Sequence, residues 1–221
     1  MQDLVFEFFN IDIMRRIWPM IWSGLLQTLF LCILLVPIGL GGGLLTMLLA
    51  THRSRAIRWP AIMFIDFFRS FPPLVLLIFI YAGLPFIGIR LNPTASICIA
   101  FFLNSSSYYG EIYRAGIESV PQGQIEAGRS TGLSAAQTFL YITLPQGVRN
   151  VLPDLLSNTV ELVKLTTLAS VISAPELLHS ADLARSLTYN TSPLVLAGLI
   201  YLVMLLPLVR IIRRVEHKFS G

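Results

Sequence analysis

Four polar or charged side chains stand inside otherwise apolar stretches of this chain: Arg69, Asn158, Glu161 and Lys164. Arg69 falls in the middle of one greasy segment, just before Pro72-Pro73, while Asn158, Glu161 and Lys164 succeed one another at three-residue spacing in a later one. Ionisable groups within a membrane helix are costly and usually face a partner, a cavity or a pathway. An arginine offers a planar fork to a carboxylate, and an amide with a carboxylate offers acceptors to an ammonium group. Together these types can grip a small ligand that carries both charges, and Glu161 favours a cationic or zwitterionic ligand over an acidic one. A second reading needs no ligand, because Asp66 with Arg69, and Glu161 with Lys164, are i,i+3 pairs able to neutralise each other on a helix face. The hydroxyls of Ser105, Ser106, Ser107, Tyr108 and Tyr109 either line a cavity or satisfy one another and nearby carbonyls.

Other chemistry finds no residues to carry it. His52, His179 and His217 are far apart, without nucleophile or metal-ligand spacing, so neither a catalytic group nor a metal site is expected. Cys32 and Cys98 each sit inside an apolar run and read as small buried hydrophobes. The Gly-rich stretch Gly39 to Gly43 lacks the following Lys-Ser/Thr of a phosphate-binding loop and reads as a close-packing site between membrane helices. The chain therefore binds no nucleotide of its own in the usual way, and an enzyme is not expected.

Composition defines the elements that must position these groups. Of 221 residues, 55% are hydrophobic and only 13% charged, with mean hydropathy +0.72, whereas a soluble domain carries about 25% charged residues. No Asp, Glu, Lys or Arg occurs between Ile17 and Thr51, Ser70 and Ile89, Leu91 and Gly110, or Ser186 and Val209. Each run suits a bilayer-spanning helix. Five spans are expected, near 23–50, 56–83 (broken at Pro72-Pro73), 93–113, 151–178 and 193–212, all within one all-α polytopic membrane domain over residues 1–221. No signal peptide is expected at residues 1–16, which mix acids with Arg15 and Arg16. The net charge of +4 does not indicate nucleic acid, because the basic residues are scattered at segment ends. They serve as topology markers. Arg53, Arg55 and Arg58, then Arg114, Arg129 and Arg149, then Arg210, Arg213, Arg214 and Lys218 all fall on one side of five spans. Arg15, Arg16, Arg90 and Arg185 on the other side are diluted by Asp3, Glu7, Asp12 and Asp182. The amino terminus is expected outside and the carboxyl terminus in the cytoplasm.

Between the third and fourth spans lies a polar module, Arg114 to Asn150. Ser119-x-x-Gln122 and Ser134-x-x-Gln137 both have the capping-box pattern, Gly132 offers a glycine stop, and Pro145 ends or kinks the second helix. Two short helices joined at a glycine, with little apolar surface, are shaped to meet another protein. An ordinary amphipathic surface loop is the alternative on periodicity alone.

The module also resembles the signature loop of bacterial ABC importer permeases. Glu126-Ala127-Gly128, three residues to Gly132, then nine to Ile142-x-Leu144-Pro145 reproduce the family spacing, with Gly128 in place of the second alanine. Phe68-Arg69-Ser70-Phe71-Pro72-Pro73-Leu74 resembles a stretch of the polar amino acid branch. Tyr109 to Gln124 resembles that branch's approach to the loop, and Asn158 to Ile172 its fourth helix, although Leu165 stands where an acid often follows Lys164.

The resemblance implies a type I importer permease in the bacterial inner membrane, working by alternating access. Residues 119–145 would form the cytoplasmic coupling helices, with Glu126, Ala127, Gly128, Gly132, Leu144 and Pro145 meeting a separate ABC ATPase subunit. That subunit, not this chain, would bind ATP-Mg. Further implied partners are a second permease chain, identical or homologous, an extracytoplasmic substrate-binding protein, membrane lipid and an amino acid substrate. For such a substrate Arg69 would take the carboxylate and Asn158 with Glu161 the ammonium, Lys164 lying beside them.

Overall fold

In a computed structural model that describes residues 6–219, all regular structure is helical. Helix α1 spans Ile11–Ala50, α2 Arg55–Ser70 and α3 Pro73–Ile78, which continues as a π turn and a 3-10 turn to Ile87. Helix α4 spans Pro93–Glu118, α5 Gln122–Ser130, α6 Ala135–Thr138 and α7 Leu144–Asn150, with a π turn at Phe139–Thr143 between the last two. Helix α8 spans Leu152–Leu165 and runs into a 3-10 segment to Ile172; α9 spans Leu177–Thr188 and α10 Ser192–Phe219. Asp3 and the side chains of His217 and Lys218 lie outside the described residues.

By length and apolarity, three stretches can cross a membrane: Phe6–Ala50, Leu152–Ile172 and Ser192–Arg214. Helices α2 and α3, with the turns after α3, make a fourth if the interrupted pair is taken as one span. The interruption is local, since Phe71 is extended (φ −88°, ψ 127°) ahead of Pro72, as a residue preceding proline tends to be. Helix α4 is long enough, at 26 residues, but Asn104 and the Ser105 to Tyr109 run lower its hydropathy.

The expected fourth helix, drawn to residue 178, is shorter than anticipated. Ser173 adopts a left-handed conformation (φ 57°), Pro175 has no amide to continue a ladder, and Glu176 caps a new helix, α9, where the sequence suggested continuity. Helix also begins earlier than residue 23, with a turn at residues 6–8 and then α1 from Ile11.

The chain divides into two compact units. One holds residues through Val36, Pro73–Ala100 and Val160–Val209; the other holds Pro37–Pro72, Phe101–Thr159 and the residues from Arg210 on. In the first, Ile17 and Ile21 of α1 pack with Leu177, Ala181 and Ala184 of α9 and Ala197 of α10. Glu176 is fully buried there. Its carboxylate accepts from the amides of Leu178 (2.8 Å) and His179 (2.7 Å) and from the Tyr201 hydroxyl (2.8 Å). A buried carboxylate is tolerated when such donors surround it. In the second unit the Gly39–Gly43 stretch does pack closely, against Ser105, Ser106 and Tyr109 of α4. The Thr46 hydroxyl reaches the Ser106 carbonyl at 3.0 Å, and Tyr109, fully buried, donates to Thr159 Oγ1 at 2.7 Å, whose own hydrogen goes to Leu155 O.

Candidate functional site

The polar module folds as an elbow with a tied base. Helix α5 ends in a Schellman motif: Gly132 is left-handed (φ 90°), its amide reaches Arg129 O (3.1 Å) and the Leu133 amide reaches Gly128 O (3.3 Å). The Arg129 guanidinium then donates to Leu133 O at 2.9 Å. Helix α6 starts on a complete capping box, with Ser134 N–H donating to Gln137 Oε1 (2.8 Å) and Gln137 N–H to Ser134 Oγ (3.2 Å).

The first expected capping box does not form. Pro121 occupies the cap position of α5 without a side-chain bond, because Ser119 belongs to the end of α4. Its hydroxyl donates to Gly116 O (2.7 Å) and accepts from Asn150 Nδ2 (2.8 Å). There Gly116 and Gly147 approach so closely that a Cβ on Gly116 would lie 2.6 Å from Gly147 O. The two ends of the module are thereby fastened to each other. Pro145 does not end the helix either. With no amide to give Tyr141 O, it comes after a π turn in which Leu144 N–H reaches Phe139 O. The widened turn carries the helix past the ring.

The signature residues divide into two groups. Gly128 is buried against Ile142 and Thr138, which fastens α5 to the π turn, and Leu144 is partly buried. Glu126, Ala127, Gly132 and Pro145 are exposed. Leu140 and Tyr141 are 53% and 70% exposed, an apolar addition to that surface. A cleft of about 380 Å³ beneath the elbow is lined by Arg53, Ile117, Ile125, Arg129, Thr138 and Phe139, among others.

A charge ladder, unread in the sequence, runs along α4 to this base. Glu111 Oε1 lies 3.4 Å from Arg69 Nη1 and 2.6 Å from Arg114 Nη2, and Arg114 Nη1 bonds Glu118 at 2.6 Å. Arg114 Nε also donates to Glu111 Oε2 (2.9 Å), so guanidinium and carboxylate are joined by two parallel bonds. Arg69 also stands over the Tyr108 ring, 5.6 Å from its centroid. Asn104 Nδ2 donates to Phe68 O and the Tyr108 hydroxyl to Arg69 O. These bonds satisfy carbonyls left open where α2 ends. The i,i+4 and i,i+3 spacing within α4 (Asn104, Tyr108, then Glu111 and Arg114 on the same face) was the available signal.

Among the expected pathway residues, Arg69 pairs with Glu111 rather than Asp66, which is exposed and has no ion pair among the described residues. Glu161 and Lys164 are both exposed and bonded to each other at 2.5 Å. Asn158 is partly buried on the same helix, next to the Thr159 that holds Tyr109. Among the described residues no group of His, Cys, Asp or Glu could hold a metal.

A chain all-helical among its described residues, with several stretches apolar enough to span a membrane and an exposed polar elbow, has the make-up of a polytopic membrane component. Residues 42–221 match the model of the binding-protein-dependent transport system inner membrane component family, and the chain belongs to that family. It is 38% identical over 195 residues to a probable amino-acid ABC transporter permease, YckA, of Bacillus subtilis (strain 168), covering 87% of this chain and 86% of that protein. The arginine transport system permease ArtQ of the same organism is 33% identical over 92% of this chain and 94% of its own. A crystal structure of an amino acid ABC transporter with histidines superposes with TM-score 0.86 at 35% identity, over 93% of this chain and 96% of that one. Inward-facing MetNI methionine transporter, at 19% identity and TM-score 0.69, shares the fold. The chain is thus a non-enzymatic inner-membrane permease subunit of an ABC transporter, a family that works with ATPase and substrate-binding partners.

Proposed function

We propose that this chain forms half of the membrane pathway of an ATP-driven amino acid importer, paired with a second permease chain and driven through the elbow at 119–145. The observation that carries this reading is the tied elbow itself, which holds Glu126 and Ala127 outward on a fixed base. A docking surface that transmits force must not yield, and the Schellman motif, capping box and Ser119–Asn150 tie supply that stiffness. The relatives' names support amino acids as cargo.

With five spans, α4 being the polar third, the elbow and the carboxyl terminus lie in the cytoplasm and the amino terminus outside. Glu126, Ala127, Gly128, Gly132, Leu144 and Pro145 form or support the contact with the ATPase subunit. Arg69, Asn158, Glu161 and Lys164 border the pathway, and the Arg69–Glu111 and Glu161–Lys164 pairs can open to take substrate. Alternating access results when ATP-driven closure of the partner subunits moves two such elbows together. The test is ATPase activity of the assembled complex in proteoliposomes, screened across acidic, neutral and basic amino acids. Stimulation by a neutral or basic amino acid is expected; stimulation by none, with uptake independent of ATP, refutes the reading.

A further inference from the structure

Helix α9 ends on Tyr189, which adopts the left-handed conformation (φ 49°, ψ 38°). Helices commonly end on a left-handed residue, but that place suits glycine, or asparagine, because any larger side chain is strained there. Among the described residues no side-chain hydrogen bond of Tyr189 compensates, and its surface is 92% exposed.

Its surroundings are fixed. Asn190 Nδ2 donates to Phe6 O (2.9 Å), and Thr191 donates through its amide to Glu7 O (3.1 Å) and through its hydroxyl to Glu7 Oε1 (2.8 Å). The Ser192 amide donates to Asn190 Oδ1 (2.9 Å) and the Asn10 amide to Ser192 Oγ (2.9 Å). These bonds lock the approach to α10 onto the segment before α1, and the ring projects from the rim of a polar cleft of about 490 Å³ bordered by Glu7, Arg185, Ser186, Asn190 and Thr191.

The cluster's place along α1 argues against lipid as the ring's surroundings. Trp18 and Trp22, half exposed and with ring centroids 6.1 Å apart, are of the type that marks a membrane interface. From Trp18 to Ile11 the helix rises roughly a further 10 Å, and Glu7 and its partners lie at that end. An exposed tyrosine on a polar rim, its neighbouring backbone held in place, matches the anchors that dominate protein interfaces, and its ring has only two side-chain torsions to lose on docking.

We infer that Tyr189, carried on the 189–192 turn locked to Glu7, is a docking anchor for the soluble binding protein on which this family's transport depends. The partner is a folded protein with a recess for a phenol ring and polar groups facing the cleft. The inference rests on the proposed orientation, with the amino-terminal end outside.

The test uses the full complex and the purified binding protein that supports uptake through it. Tyr189→Ala should raise the binding-protein concentration that half-maximally stimulates ATPase by about tenfold, and Tyr189→Phe should restore it to within about threefold. An unchanged half-maximal concentration in Tyr189→Ala overturns the inference. Should that variant fail to assemble, Tyr189→Cys in a Cys32→Ala, Cys98→Ala background decides. An impermeant maleimide should label it from outside intact cells, and excess binding protein should block labelling. Outside labelling that the binding protein does not block refutes docking and leaves the orientation standing. Labelling only after permeabilisation refutes the orientation. Labelling that is slow in membranes but fast in detergent places the ring in lipid and also refutes docking.

Discussion

Arg69 of α2 and Arg114 of α4 share one carboxylate: Glu111 Oε1 lies 3.4 Å from the first guanidinium and 2.6 Å from the second. Removing that charge leaves two cations facing each other, whereas removing Arg69 leaves Glu111 paired with Arg114. Glu111→Gln should therefore destabilise the protein more than Arg69→Gln, by about 1 kcal/mol, toward the low end for charge-assisted bonds because the groups are partly exposed. Thermal unfolding of the detergent-purified protein checks the order; equal effects would mean that Glu111 is not the centre of the ladder.

Helix contact in the second unit predicts a contrast within three adjacent glycines. A Cβ on Gly43 would press on Tyr109 Cβ and lie 2.9 Å from its carbonyl carbon, while one on Gly41 meets nothing within 4 Å. Gly43→Ala should cost about 1–3 kcal/mol, the usual range for overpacking. Gly41→Ala should be neutral or stabilising by up to about 1 kcal/mol, since alanine is the better helix former. Melting curves of the two variants, measured side by side, should separate in that order.

The elbow's local motifs predict graded loosening. Ser134→Ala removes a completed cap and should cost about 1 kcal/mol of local stability, and Gly132→Ala forces a side chain into a left-handed site at about 1–2 kcal/mol. Ser119→Ala leaves the α5 cap untouched and removes only the bonds to Gly116 O and Asn150. Amide hydrogen exchange should report faster opening of 122–138 in the first two variants; in Ser119→Ala the increase should fall near 116–120 and 147–150 instead. Equal opening of the α5 start in Ser119→Ala would restore the capping box that the structure lacks.

Glu161 is the sharpest pathway test because both it and its partner Lys164 are exposed. If it takes the substrate ammonium, Glu161→Gln should weaken uptake about tenfold or more, equivalent to about 1.4 kcal/mol. Unchanged uptake kinetics would leave Glu161 as the counter-ion of Lys164 alone.

Much of this architecture is legible in the sequence, for identifiable reasons. Long apolar runs, the Gly132 stop and the Ser134–Gln137 box are local signals, and local physics decides them. The span boundaries are less legible where polar residues are satisfied by neighbours far along the chain. Asn104 and Tyr108 lower the hydropathy of α4 yet bond carbonyls of α2, 36 and 39 residues away. Ser119 carries a capping pattern, but its hydroxyl is claimed by Asn150, 31 residues on. Pro145 reads as a stop or a kink because a π turn leaves no mark in composition. Glu111 and Glu176 do not stand out among the ionisable residues of the sequence, since only their three-dimensional partners distinguish them from solvated charges.

The most direct measurement is the number of substrate molecules imported per ATP hydrolysed by the reconstituted complex carrying Glu126→Lys. Glu126 is exposed on α5, and reversing its charge at a close protein contact should lower that ratio about tenfold. An unchanged ratio at an undiminished uptake rate would contradict transmission of force through the elbow.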